Sequence, residues 1–166
     1  MSIWRRAVSG CRWRATAGGL AGTLLLAIVM LSYPAVAQTA PAPPSDKPFA
    51  EHHLALQLSD GDPKKEALVI SVAYNLIKLY GPDKVDIEVV AFGPGIDLLK
   101  ADNPSRSFVD SLVTQGVRFD ICGNTLDTIA RETGKRPAVN PNAVEVEAGV
   151  AQLLSLAEKG YTIVRP

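Results

Sequence analysis

The amino-acid sequence predicts a three-layer α/β domain, with a mostly parallel five-stranded sheet and helices on both faces. Three observations carry that prediction. From His53 onward, short apolar runs of strand length alternate with longer segments of helical spacing. A helix stands between successive strands, so hairpins cannot join them and crossovers must. Such crossovers are right-handed and lay their helices against the sheet.

The first strand is "HLALQLS" (53–59), in which Leu54, Leu56 and Leu58 share one face and Ala55 is small enough to be buried on the other. "DPKKEALVISVAYNLIKLYG" then reads as a helix, with Asp62 as N-cap, Pro63 at the first helical position and Gly81 as the stop. Leu68, Val72, Asn75, Leu76 and Leu79 fall on one stripe, which is expected to face the core. Asn75 interrupts that stripe with a polar group, so burial would require it to hydrogen-bond a neighbouring loop or a ligand.

The second strand, "VDIEVVAFG" (85–93), ends at Gly93-Pro94-Gly95, read as a turn that reverses the chain or shapes a pocket wall. Ile96 to Lys100 is a short helix, broken at Asn103-Pro104. "SRSFVDSLVTQG" (105–116) sets Phe108, Leu112 and Val113 at helical spacing, and the third strand "VRFDIC" (117–122) directs Val117, Phe119 and Ile121 to one face. The helix "TLDTIARETG" (125–134), the short strand "AVEVEAG" (143–149), the helix "VAQLLSLAEKG" (150–160) and the strand "YTIVRP" (161–166) complete the alternation.

The N-terminal segment has a different character. Arg5, Arg6, Arg12 and Arg14 precede an apolar run from Ala15 to Tyr33, and Ala35-Val36-Ala37 has the small-x-small form of a signal-peptidase site. Residues 1–37 are therefore expected to be a signal peptide, cleaved near Ala37 and taking Cys11 with it. An uncleaved membrane anchor is the other reading, weakened by Gly18, Gly19 and Gly22. The expected location is periplasmic or secreted, with no stable membrane insertion after cleavage. Residues 38–51 read as a Pro-rich spacer, which leaves 52–166 as the folded domain. The whole chain carries 17 basic and 17 acidic residues; losing four arginines leaves 13 against 17, a net charge of about −4. A nucleic-acid partner is not indicated by that balance.

Cleavage leaves Cys122 as the single cysteine, with no internal partner in a compartment where cysteines pair. It ends a strand, and Gly123-Asn124-Thr125 leads into a helix whose expected N-cap is Asn124, with Asp127 three residues on. A thiolate there faces the positive end of a helix dipole and unpaired backbone N–H groups. No Lys, Arg or His lies within three residues, so activation has to come from backbone dipoles. A buried, structural cysteine is the alternative.

Sheets of this class bind ligands beyond the carboxyl ends of their strands. That edge gathers Cys122, Gly93, Gly95 and the Ser59–Asp62 loop. His52 and His53 stand at the opposite edge, and neighbours on an extended segment point apart, so no metal site is expected. Asp60 and Asp62 lack the further oxygen ligands of a Ca²⁺ or Mg²⁺ loop, and capping by Asp62 is the simpler reading. That acidic loop also has no phosphate-binding glycine pattern, and no cofactor is expected. The linear sequence holds no evident Ser-His-Asp arrangement, CxxC motif or paired catalytic carboxylates.

Three segments, "VDIEVVAFGPGIDLL" (85–99), "VRFDICGNTLD" (117–127) and "AGVAQLLSLAEKGYTIVRP" (148–166), together resemble the DsrE/DsrF-like family of small α/β proteins linked to sulfur relays. The resemblance runs from about Leu54 to the C-terminus. It implies that Cys122 accepts sulfane sulfur as a persulfide and passes it to a partner, with Gly123, Asn124 and Thr125 supporting the anion. It also implies a homo-oligomer, trimer or hexamer, served by a sulfur donor and acceptor protein whose identities are unknown. A non-catalytic ligand-binding or assembly module and a periplasmic thiol redox sensor are the rival expectations.

Overall fold

Leu54, Leu56 and Leu58 do line one face of the first strand, and around that strand the sheet is built in the order β4-β3-β2-β1-β5. The computed structural model describes residues 47–166, all within one compact unit, Gln38–Pro166. The expected signal peptide, and the expected spacer up to residue 46, lie outside the described residues. The strands are β1 (His52–Leu58), β2 (Val85–Ala91), β3 (Arg118–Cys122), β4 (Val144–Val146) and β5 (Thr162–Val164). Every neighbouring pair is parallel. The helices are α1 (Pro63–Tyr80), α2 (Arg106–Thr114), α3 (Gly123–Thr133) and α4 (Gly149–Glu158), with a 3₁₀ segment at Gly93–Leu99. Among the described residues no helix is long and apolar enough to cross a membrane.

The strand order assigns each helix to a face. Steps from β1 to β4 all run in one direction, so right-handed crossovers place their helices on one side of the sheet. The return from β4 to β5 runs the other way, and the same handedness puts α4 on the opposite side. Packing follows that division. Leu56, Leu58, Ile87, Val89, Phe119 and Ile121 form the main core with residues of α1, α2 and α3, while Ala55 and Val90 meet Leu153 and Leu156 of α4.

α1 starts as its sequence dictates: Asp62 Oδ1 accepts from the Lys64 N–H at 3.0 Å, and Pro63 fills the first helical position. Its buried face is not the expected one. Glu66, Val69, Ile70, Ala73 and Ile77 point inward, while Leu68, Asn75 and Leu79 are exposed. Apolar residues nearly encircle α1, so periodicity alone offers two stripes. The sheet takes the one centred on fully buried Ala73, whose small side chain lets the helix backbone approach closely. Within α2, Val109 replaces Phe108 in the core beside Leu112, and Phe108 is turned outward.

Gly93-Pro94-Gly95 is the first turn of the 3₁₀ segment rather than a separate loop. A Cβ on Gly95 would lie 2.3 Å from the Leu58 carbonyl oxygen. The residue is glycine because the 3₁₀ segment rides directly on the end of β1. Gly95→Ala should therefore force backbone movement and cost about 1–3 kcal/mol, read as a lower denaturation midpoint. An unchanged midpoint would show that this contact relaxes freely.

Candidate functional site

Ligand sites in open parallel sheets form where connections from adjacent strands diverge to opposite faces. Here β3 leads to α3 on one face and β4 leads to α4 on the other, so the divergence lies between these two strands. Cys122, paired in register with Val146, is the last residue of β3 at that point. Strand alternation puts its side chain on the α4 side with Asp120. The residue is 5% exposed and the thiol is free.

Cys122 is itself the N-cap of α3, which begins at Gly123, two residues earlier than the periodicity indicates. Asn124 is consequently inside the first turn. Its side chain is exposed, and its backbone N–H donates to the Glu147 carbonyl at 3.1 Å, which ties α3 to the β4–α4 connection. The apolar strand pattern hid this boundary because strand and helix share Cys122 with no intervening loop. Gly123 is packed against Glu145 and Val146. Gly149, the first residue of α4, lies against the Phe92 ring with no room for a Cβ, so both helix starts close on the end of the sheet.

The other expected site residues divide. The Gly93 N–H donates to Thr125 Oγ1 at 3.0 Å, which joins the β2 edge to the first turn of α3. Gly93 has φ 54°, a left-handed conformation that favours glycine. Gly95 serves the packing described above. Asn75 does not belong to this edge: it lies on the outward face of α1, well along the helix toward the amino end of the sheet. Among the described residues nothing hydrogen-bonds its side chain, because the helix is turned away from the orientation in which it would be buried.

The α4 side of the sheet carries polar groups that the linear reading passed over. Glu88 and Arg118 are register partners, and Asp86, Glu88 and Asp120 are all buried, Asp120 completely. Arg118 Nε lies 2.7 Å from Asp120 Oδ1 and 3.5 Å from Glu88 Oε1, while Gln152 of α4 donates to Glu88. Asp120 Oδ2 meets no hydrogen-bond donor among the described residues unless Glu88 is protonated. The Glu88 carboxyl is pushed up to about 8, first by burial and then by the hydrogen bond and charge of Asp120, with Gln152 and Arg118 opposing. A proton shared between these two acids accounts for both observations. Paired carboxylates are thus present, assembled across β2 and β3. Their signal was the alternation of acid and apolar residues in "VDIEVV" and "VRFDIC", on strands that lie centrally in the sheet.

A cation also stands near the start of α3. Arg136 forks onto Glu145, with nitrogen–oxygen distances of 2.8 and 2.6 Å, and lies 3.2 Å from Asp127. This bidentate contact holds the Glu145 carboxyl below its usual range. Arg136 stands 14 residues beyond Cys122 in the chain, so no pattern local to the cysteine announces it. At the amino edge, His52 packs on Tyr80 and His53 Nδ1 lies 3.8 Å from Asp86 Oδ2, beside a cavity of about 370 Å³. Among the described residues, no three His, Cys, Asp or Glu side chains gather as a metal would require.

The chain is similar to the solved structure of MTH1491, a protein of unknown function from Methanobacterium thermoautotrophicum, with a TM-score of 0.62 and 29% identity. The likeness covers 70% of this chain and 100% of that one, in agreement with the α/β architecture described above. No family model and no curated protein matches the chain.

The Glu88 pair has a defined pH signature. Its folded-state pKa, about 8, exceeds the ordinary 4.5, so between those values the folded state retains a proton that the unfolded chain releases. Stability then falls as pH rises through this window and is unaffected by Glu88 below it. Glu88→Gln cannot ionise. Relative to the parent it should gain at least about 1 kcal/mol, the worth of roughly one pKa unit, between about pH 5 and about pH 9 in guanidinium denaturation. Parallel pH profiles for the two proteins would contradict the shared proton.

Proposed function

We propose that this protein is an exported sulfur carrier of the DsrE/DsrF-like kind, in which Cys122 receives sulfane sulfur as a persulfide and hands it to a partner thiol. The observation that carries this reading is the double position of Cys122, as last residue of β3 and N-cap of α3, at the divergence of the β3 and β4 connections. Backbone N–H groups of the α3 first turn favour an anionic sulfur there. Asn124 is excluded from that role by its bond to Glu147, and the Leu126 N–H closes the first helical turn onto the Cys122 carbonyl, so Gly123 and Thr125 supply the donors.

The chemistry needs no cofactor and no net oxidant. The Cys122 thiol loses its proton to solvent, and the thiolate attacks the outer sulfur of a persulfide donor. The donor's sulfur–sulfur bond breaks, its thiolate leaves, and a Cys122–S–S⁻ group forms. Transfer to an acceptor thiolate repeats the exchange in reverse sense and regenerates Cys122. Export past a cleaved N-terminal segment and assembly into a trimer or hexamer belong to the same proposal.

The 5% exposure of Cys122 favours a second reading, a ligand-binding or assembly module in which the cysteine only packs. Mass spectrometry separates the two. After incubation with a sulfane-sulfur donor, the parent should gain about 32 Da, one sulfur atom, reversible by a thiol, and Cys122→Ser should gain none. A parent that stays unmodified while its thiol titrates only on unfolding would select the packing reading.

A further inference from the structure

The buried acid pair and the thiol share one face of the sheet. Strand alternation puts Arg118, Asp120 and Cys122 on the α4 side, and the register of β2 and β3 sets Glu88 beside them. Asp120 is fully buried, and its Oδ2 depends on the Glu88 proton for a donor. Cys122 is buried as well, and residues two apart on a strand stand about 7 Å from each other. Two charges at that spacing in a protein interior change each other's protonation by at least about tenfold.

The other charges around this face are already matched. Arg118 is engaged by both acids. Asp86 accepts from the Tyr161 hydroxyl and has His53 Nδ1 3.8 Å away. Glu145, which abuts Gly123, is held by the Arg136 fork. α4 brings the uncharged Gln152 amide, and β4 sets Val144 and Val146 in register with Asp120 and Cys122. A new negative charge on sulfur therefore meets no free cation among these groups, and its nearest titratable neighbour is the acid pair.

We infer that Cys122 and the Glu88–Asp120 pair are one coupled acid site, in which an anionic sulfur and a second negative charge on the pair oppose each other. The Glu88 carboxyl, pushed up to about 8, keeps its proton through neutral pH and so leaves room for the sulfur anion. Ionised Glu88 holds the proton on sulfur, and a sulfur anion holds the proton on Glu88, since coupling of this kind is reciprocal. A thiolate and a persulfide anion carry the same charge, so the coupling stands whatever Cys122 carries.

Two titrations of the full chain test the coupling, which appears in whichever group ionises second. In the first, ultraviolet absorbance reads the thiolate as the difference from Cys122→Ser, so that the tyrosines and Cys11 cancel. If sulfur ionises second, Glu88→Gln should match the parent at neutral pH and hold at least about twofold more thiolate above about pH 8. Asp120→Asn, which removes the other acid, should give the same gain over the same range. In the second, guanidinium denaturation follows the loss of stability linked to Glu88. If Glu88 ionises second, that loss should begin about one pH unit lower in Cys122→Ser than in the parent. Independence in both titrations overturns the coupling, as does a thiolate gain equal at every pH, which a merely structural disturbance would produce. No sulfur donor enters either titration, so their failure is distinct from failure of the carrier reading.

Discussion

An all-parallel sheet can be closed only by crossovers, and the right-handedness of those crossovers governs most of this molecule. Three steps in one direction commit α1, α2 and α3 to one face. A single return across the sheet commits α4 to the other. The two faces therefore differ in cover, and the connections leaving β3 and β4 part company beside Cys122. The position of the thiol at this divergence is a consequence of strand order, reinforced by the bond from the Asn124 N–H to Glu147 that ties the two connections together.

Unequal cover explains the unequal chemistry of the two faces. Under three helices the core is almost wholly aliphatic, with Phe119 and Ile87 fully buried. Under α4 alone, the sheet accommodates Glu88, Arg118 and Asp120 beside Ala55 and Val90. Buried charges are tolerated when they are paired and hydrogen-bonded, and leaving one without a partner is costly. Arg118 between two acids, a proton shared by Glu88 and Asp120, and the Gln152 amide from α4 meet that requirement. The same network anchors α4 through a polar contact in addition to Leu153 and Leu156, and it places an ionisable group two residues from Cys122 on one strand face.

Much of the architecture was legible because its signals are local. Asp62-Pro63 announces the start of α1, Gly81 its end, and the leucine alternation of residues 54–58 announces β1. Side-chain orientation was less legible. On α1 the apolar residues support two stripes, and the choice between them depends on how closely the helix approaches the sheet, which Ala73 decides. The 3.6-residue period cannot express that preference. At Cys122 the strand gives way to α3 without a loop, so the expected cap at Asn124 was displaced by two residues. The acid pair stayed hidden for another reason: Glu88 and Asp120 are 32 residues apart and meet only through strand register.

By itself the sequence determined the element order, the parallel sheet, the α1 cap and the identity of the one cysteine at a strand end, because each rests on neighbouring residues and fixed backbone periods. Tertiary structure alone decided that α4 stands apart from the other helices, that Glu88 and Asp120 share a buried site, that Arg136 grips Glu145 and that Asn75 faces outward. Those outcomes depend on distances between segments remote in the chain. Such distances are set by crossover handedness, sheet register and the closeness of helix packing, none of which a one-dimensional pattern records.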